Sequence, residues 1–263
     1  MKTKPRVIVF SGYGLNCEDE TKAAFDSVGA EAEIVHLNDI VSRPSLLKRA
    51  HILVFGGGFA YGDDTGAGKA YGNRVRGHLG DALRTFLARD TLMIGICNGF
   101  QIITSAGFVP GALTGNDPGG QTGGGRYLCR WVDLEIEGES PWLTGISRLS
   151  LPIAHGEGKY VAPEAELATL EREGAVALRY ARGEVCEQFD LPENPNGSLR
   201  NIAGVTSHGG RVFGLMPHPE RAVSFFQLPH WTYLREEYER EGRALPTEGP
   251  GLQLFRNAVH YFA

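Results

Sequence analysis

Residues 91–103 read TLMIGICNGFQII, in which a cysteine lies between two glycines and two apolar runs. The first run has the length and composition of a buried strand, and the second begins a helix. Gly95 and Gly99 are each two residues from Cys97. Both positions must lack a Cβ in a sharp strand-to-helix turn, because the two backbones approach closely there. The stretch therefore predicts a nucleophile elbow in which a cysteine thiolate attacks a carbonyl.

The chain before this elbow alternates between apolar runs and amphipathic stretches. Strands are predicted at 6–10, 33–37, 51–55 and 91–96, and helices at 19–28 and 74–89. Continuous apolar strands separated by helices are typical of a parallel sheet covered on both faces. Glycine turns follow the first and third strands, at 12–14 and 56–58. Active sites in such sheets lie at the carboxyl ends of the strands, so these turns and Cys97 are expected to converge.

The rest of the chain has a more β-rich pattern. Strands are predicted at 127–136, 149–153, 175–180, 202–206 and 212–216, and helices at 231–241 and 251–261. A glycine-rich stretch at 115–125 is interpreted as a mobile surface loop. No Pro/Gly/Ser linker is long enough to divide the chain. We therefore expect one domain over 1–263, an α/β fold with a mostly parallel twisted sheet, helices on both faces and added β-rich segments.

Composition disfavours several classes of function. The 263 residues are 42% apolar and 22% charged, which is ordinary for a soluble globular protein with a large core. The net charge of −5 and the absence of a Lys/Arg-rich run argue against nucleic acid or a membrane surface as partner. No signal peptide or membrane-spanning run is evident. Cys17, Cys129 and Cys186 form no CxxC pair and are predicted to be buried, reduced residues of a cytoplasmic protein.

A cysteine nucleophile needs a base, and the base needs an orienting partner. Residues 214–221 read GLMPHPER, so that His218 follows a predicted strand and Glu220 follows it by two residues. Glu220 could fix one imidazole tautomer and leave the other ring nitrogen facing Cys97. Taken alone, such a tripeptide is more often an ordinary loop; paired with the elbow, the catalytic interpretation is favoured.

Three other site types fit poorly. The turn at 12–14 lacks the third glycine of a dinucleotide motif, since Cys17 holds that position. Asp63 and Ala70 break a P-loop around Lys69. The spacing of His218 and Glu220 is not that of a helical zinc site, so no metal is expected.

The elbow GICNGFQ together with the distant PHPER resembles the triad (class I) glutamine amidotransferases. Further motifs are GGGFAYGD at 56–63, IAHGEG at 153–158 and NIAGV at 201–205. Together they are similar to the glutaminase subunits of phosphoribosylformylglycinamidine synthase, from about residue 7 to 223 and again at 251–259. The resemblance implies a flavodoxin-like fold and the catalytic triad Cys97, His218 and Glu220.

The resemblance also implies the remaining site and the partners. The oxyanion hole and glutamine-binding groups would be Gly57, Gly58, Phe59, Asn98, Gln101, His155 and Gly156. Ammonia from glutamine would pass to a synthetase subunit, accompanied by a small accessory subunit, that converts formylglycinamide ribonucleotide to its amidine in purine biosynthesis. No cofactor is expected in this chain, whereas ATP and Mg²⁺ are expected in the synthetase.

The chain departs from that family in two loops and one insertion. The loop after Asp63 lacks a usual arginine, the stretch from Gly115 lacks an Arg-Asn pair, and residues 227–250 are extra. The sequence therefore does not identify the surface on which the synthetase subunit docks. Other interpretations are an α/β-hydrolase acting on esters or lactones, an amidotransferase serving another synthetase, and a silent glutamine-binding module. The helix at 231–241 could face a partner or pack on the core.

Overall fold

The computed structural model describes residues 4–64, 66–119 and 126–263. Within these ranges the chain forms eleven strands: β1 (Arg6–Ser11), β2 (Glu31–His36), β3 (Ile52–Phe55), β4 (Leu92–Ile96), β5 (Ala112–Thr114), β6 (Leu128–Ile136), β7 (Arg148–His155), β8 (Lys159–Val161), β9 (Val176–Ala181), β10 (Ile202–Ser207) and β11 (Val212–Leu215). It also forms eight α-helices: α1 (Glu18–Ser27), α2 (Leu37–Ser42), α3 (Lys69–Leu87), α4 (Asn98–Ser105), α5 (Glu164–Arg172), α6 (Glu184–Phe189), α7 (Trp231–Arg240) and α8 (Leu252–His260). Short 3₁₀ helices cover Pro44–Arg49, Ala60–Asp63, Leu199–Asn201, Pro219–Arg221 and Phe225–Gln227.

Nine of these strands form one mixed sheet in the order β2-β1-β3-β4-β11-β10-β9-β6-β7. The pairings from β2 to β11 are parallel, and those from β11 to β7 are antiparallel. Every residue of β3 and β4 is buried, as expected for strands covered on both faces. The predicted α/β class with added β-rich segments is confirmed.

The helices lie on both faces because successive strands are added to the sheet on opposite sides of its central strands. In the strand order, the crossover from β1 leads outward to β2 at the edge of the sheet, whereas the crossover from β3 leads to β4 in the opposite direction. Both are right-handed by the usual rule, so α1 and α3 lie on opposite faces. In agreement, α1 packs against α8, while α3 packs against α4. Among the described residues, no helix combines the length and apolar composition needed to cross a membrane.

Most predicted strands begin and end within about two residues of the observed ones. Helix α3 begins at Lys69 rather than at 74, because Tyr71 and Gly72 pack inward and extend its buried face. The short elements α2, α5, α6, β5 and β8 were not predicted. Each presents only one or two buried side chains, which is too few to give a periodic signal.

Two predictions about individual regions need correction. Cys129, at the beginning of β6, is exposed, whereas Cys17 and Cys186 are buried as predicted. Asn116 lies in the stretch interpreted as a surface loop, yet it is buried, and both the oxygen and the nitrogen of its side-chain amide form hydrogen bonds. Residues 120–125 of that stretch are outside the described residues. Of the two interpretations left open for residues 231–241, packing on the core is disfavoured, because helix α7 contains no buried residue.

The extra segment 227–250 starts and finishes next to the same short stretch of chain, residues 223 and 224. Ser224 forms an isolated bridge with Glu248, and the N–H of Gly249 donates to the Val223 carbonyl. The two ends of the segment therefore lie next to each other in space, beside the residues that follow the 3₁₀ turn carrying Glu220.

Candidate active site

Cys97 has the backbone of the predicted elbow. It joins β4 to α4 with φ 52° and ψ −107°, a conformation that L-residues rarely adopt. A Cβ on Gly95 would lie 2.6 Å from the Gly99 carbonyl oxygen, and a Cβ on Gly99 would lie 1.8 Å from that of Phe55. The two glycines therefore let the strand, the helix and the end of β3 meet around the nucleophile.

His218 reaches Cys97 because β11, which precedes it, pairs in parallel with β4. Ile96 is in register with Leu215, and the Cys97 N–H donates to the Leu215 carbonyl over 2.8 Å. The backbone N–H of His218 donates to the Pro152 carbonyl of β7, also over 2.8 Å. The base is thereby held between the parallel and antiparallel halves of the sheet.

Glu220 forms the predicted contact with the imidazole. Its Oε1 lies 2.5 Å from His218 Nδ1, and both side chains are buried. Nε2 makes no hydrogen bond within the described part of the chain, which leaves it for the Cys97 thiol. Burial disfavours the imidazolium, but the Glu220 carboxylate and then Cys97 outweigh it and hold the pKa of His218 well above its usual range. The Glu220 carboxylate therefore favours the imidazolium form of His218 beside Cys97.

The glycine turn after β3 aims one N–H group away from the segment that holds it. The Gly57 carbonyl accepts the N–H groups of Asn16 over 3.1 Å and Cys17 over 3.2 Å. In a trans peptide the C=O and N–H bonds point in opposite directions, so the Gly58 N–H faces away from Asn16 and Cys17. A Cβ on Gly58 would meet Leu15 at 2.6 Å, so a side chain there would push the turn out of place.

Phe59, the third predicted residue of this turn, presents its side chain rather than its amide. Its N–H donates to the Gly14 carbonyl over 2.8 Å and is therefore not free to bind an oxyanion. Its ring is 43% exposed and stacks against Tyr127 at 6.1 Å between centroids. Gly58 and Asn98 then supply the candidate oxyanion donors, since no backbone carbonyl of the described residues accepts their N–H groups.

Asn98 and Gln101 tie the elbow to two neighbouring turns. Asn98 Oδ1 accepts the Ala60 N–H over 3.0 Å, and its Nδ2 donates to Gln101 Oε1 over 2.7 Å. Gln101 Nε2 in turn donates to the Glu157 carbonyl over 2.5 Å. Both the oxygen and the nitrogen of the Gln101 side-chain amide thus have hydrogen-bond partners inside the chain. Its contact with glutamine, implied by the family resemblance, stays a prediction.

The turn at His155 and Gly156 borders the nucleophile. The Cys97 thiol donates to the carbonyl of neighbouring Ala154 at 3.6 Å. Asn116 Oδ1 lies 3.1 Å from His155 Nδ1, and the Asn116 N–H donates to the Gly156 carbonyl. Burial, with a smaller effect of nearby His218, lowers the pKa of His155 to about 3. His155 is therefore neutral beside the candidate triad.

We expect this neutral histidine to make the fold acid-sensitive. The unfolded chain protonates His155 below about pH 6.5, whereas the native chain does not until about pH 3. Its contribution to stability is complete above pH 6.5 and is lost between those values at about 1.4 kcal/mol per pH unit. Denaturant unfolding at pH 7, 6 and 5 measures this slope. His155→Gln should reduce the slope, and the exposed-site control His260→Gln should not; an unchanged slope in His155→Gln contradicts the assignment.

Sequence reasoning missed three side chains at this site. Cys17 lies against His218 although it is remote in sequence. Asn116 was hidden in a glycine-rich stretch. Asp63 accepts from Asn98 Nδ2 at 3.3 Å, and burial together with the nearby Glu157 carboxylate raises its pKa to about 6. Only Asp63, inside the motif GGGFAYGD, carried a sequence signal.

Comparison with known proteins gives one consistent family. The CobB/CobQ-like glutamine amidotransferase domain matches residues 4–262. A phosphoribosylformylglycinamidine synthase subunit PurQ of Methanococcus maripaludis is 40% identical, covering 100% of this chain and 99% of that one. The PurQ subunit of Dehalococcoides mccartyi is 38% identical, with 98% of each chain covered. A chain in the structure of PurLQS from Thermotoga maritima superposes with a TM-score of 0.73 at 29% identity, covering 99% of this chain and 100% of that one. The chain therefore belongs to the CobB/CobQ-like glutamine amidotransferases and, among them, to the family of PurQ subunits of phosphoribosylformylglycinamidine synthase.

Proposed function

We propose that this chain hydrolyses the side-chain amide of glutamine and supplies the ammonia to the synthetase subunit of phosphoribosylformylglycinamidine synthase. That subunit converts formylglycinamide ribonucleotide to formylglycinamidine ribonucleotide in purine biosynthesis. The observation that carries the proposal is the buried His218–Glu220 pair beside the cysteine of a strained elbow. The PurQ relatives and the PurLQS structure support the choice of pathway and of both partner subunits.

In the proposed reaction, the Cys97 thiolate attacks the side-chain carbonyl carbon of glutamine. The N–H groups of Gly58 and Asn98 hold the negative oxygen of the tetrahedral intermediate. Protonated His218 gives its proton to the leaving nitrogen, so ammonia departs and a γ-glutamyl thioester remains on Cys97. Neutral His218 then takes a proton from water, whose oxygen attacks the thioester. Glutamate leaves, and the thiolate–imidazolium pair is restored.

Other groups have supporting roles in this proposal. Glu220 orients the imidazole and stabilises its charged form. Gly57 and Phe59 shape the oxyanion turn, while Gln101, His155 and Gly156 hold the walls that position glutamine. ATP and Mg²⁺ would be used by the synthetase, and the cytoplasm is the proposed location. The continuous nine-stranded sheet supports one domain over 1–263.

The alternative interpretations receive less support from the geometry. In α/β-hydrolases the acid precedes the histidine in the chain, whereas Glu220 follows His218 by two residues. A silent glutamine-binding module has no need of an intact thiol, base and acid in contact.

Glutamate release tests the proposal directly. Release from glutamine would be measured with and without the synthetase and accessory subunits, ATP and formylglycinamide ribonucleotide. We expect release to be stimulated by the partners and to fall by at least about a thousandfold in Cys97→Ala. Cys129→Ala, which removes the exposed thiol, is the matched control and should keep full activity. Unchanged release in Cys97→Ala would refute the mechanism, and release indifferent to the partners would refute the pathway.

A further inference from the structure

Cys17 places a second thiol beside the candidate triad. Its Sγ, a ring nitrogen of His218 and a carboxylate oxygen of Glu220 all lie within 4.8 Å of one another, and all three residues are buried. A Cβ on Gly57 would lie 3.0 Å from Cys17 Sγ and 2.7 Å from His218 Cε1. The Cε1–Nδ1 edge of the imidazole, which also faces Glu220, is thus the edge nearest Cys17.

A thiolate, an imidazole and a carboxylate are the three donor types that bind Zn²⁺ in proteins. Bond lengths of about 2.0–2.3 Å place donors of a tetrahedral zinc site roughly 3.3–3.8 Å apart. The three donors here lie within 4.8 Å of one another, and His218 Nδ1 and Glu220 Oε1, which are 2.5 Å apart, must separate as zinc enters between them. Glu220 Oε2 makes no hydrogen bond within the described residues although it is buried, so a second carboxylate oxygen is available to a cation.

We propose that Cys17, His218 and Glu220 form a Zn²⁺ site and that zinc bound there inhibits the glutaminase. The metal takes the place of the proton shared by His218 Nδ1 and Glu220. Both Cys17 and Nδ1 must be deprotonated to coordinate it, so up to two protons are released to solvent. Once metallated, His218 no longer serves as a proton carrier for Cys97, and hydrolysis stops.

Arg221 sets the strength of this binding. Its Nη2 donates to Cys17 Sγ at 3.0 Å, and its Nε lies 3.9 Å from Glu220 and from Glu20. In the metal-free protein this guanidinium supplies the positive charge next to the thiol and the carboxylate. Its side chain is 39% exposed, so it can move outward when zinc enters. Zinc must therefore compete with a resident cation, and Arg221→Gln should bind it more tightly.

Cys97 is excluded from the proposed ligand set by position. It does not belong to the group of donors that lie within 4.8 Å of one another. The proposal thereby differs from general poisoning of a cysteine nucleophile by zinc. The thiol required for binding is not the thiol required for catalysis.

The test is a zinc titration of the full chain against a chromophoric chelator, with reduced thiols and without glutamine. Wild type, Cys97→Ala and the exposed-thiol control Cys129→Ala should bind one zinc ion with the same affinity. Cys17→Ser and His218→Asn should bind at least about tenfold more weakly, because each removes one of three ligands. Cobalt substitution should give a thiolate charge-transfer band in Cys97→Ala that is absent in Cys17→Ser.

Three results would overturn the proposal: equal zinc affinity in Cys17→Ser and wild type, loss of binding in Cys97→Ala alone, or no binding by wild type. Thermal unfolding of metal-free Cys17→Ser establishes that the variant is folded, and His218→Asn supplies an independent loss of ligand. Because the readout is binding rather than glutamine hydrolysis, its outcome does not depend on the proposed function.

Discussion

Glu220→Gln is expected to lower kcat for glutamine hydrolysis by about a thousandfold to ten-thousandfold. The amide cannot stabilise the imidazolium, and its NH₂ group can favour the wrong tautomer of His218. Loss of the carboxylate also removes the largest influence that raises the pKa of His218. The alkaline limb of the pH–rate profile, where His218 loses the proton that it gives to the leaving nitrogen, should therefore move to lower pH as well. Steady-state kinetics over pH 5–9, in the assembled synthase, measure both effects.

The matched control for this prediction is Glu20→Gln. Glu20 lies 3.9 Å from Arg221, as Glu220 does, but it is partly exposed and does not contact His218. We expect Glu20→Gln to change kcat by less than about threefold, since screened surface charges contribute little. Equal losses in the two variants would mean that Glu220 acts only through general charge, which contradicts its assigned role.

Gly99→Ala is expected to prevent stable folding. The new Cβ would lie 1.8 Å from the Phe55 carbonyl oxygen and 2.5 Å from its carbon, both of which are backbone atoms at the end of β3. Neither can move without breaking the β3–β4 pairing or displacing α4. The most severe overpacking of this kind lowers the free energy of unfolding by more than about 4 kcal/mol. Such a loss is comparable to the whole free energy of unfolding of many domains. Soluble yield and denaturant unfolding measure it.

Gly77→Ala separates this steric effect from the general effect of adding a methyl group. Gly77 lies within α3, where nothing lies within 4 Å of a new Cβ. Alanine there should stabilise the chain by about 0.5–1 kcal/mol through helix propensity. If Gly99→Ala unfolds with the same midpoint as wild type, the close approach of β3 to the elbow is wrong.

The parts of the fold that could be predicted are those that a local pattern determines. Apolar runs located β1, β3 and β4, and glycine spacing around Cys97 gave the elbow, because both depend only on neighbouring residues. Glu220 could be paired with His218 because two residues separate them and their prolines fix the local backbone.

The contacts that could not be predicted depend on strand order across the sheet. The antiparallel half, in which β9 and β6 lie between β10 and β7, follows from pairings between distant segments. Cys17 reaches His218 only because the turns after β1 and β3 lie together at the carboxyl edge. Asn116 is buried by contacts with His155 and Gly158, and a glycine-rich sequence has no apolar period to reveal such burial.

The pairing of β4 with β11 also determines when the site can exist during synthesis. The thiol and its base come from strands that are far apart in the chain, and strand pairings of that range form late in folding. Domains acquire their structure as the ribosome extends them from the amino terminus. A nascent chain that has passed Cys97 but not β11 carries an unactivated thiol and no means of releasing ammonia. Premature release from the ribosome anywhere before that strand should therefore yield fragments that are inert toward glutamine rather than unregulated glutaminases.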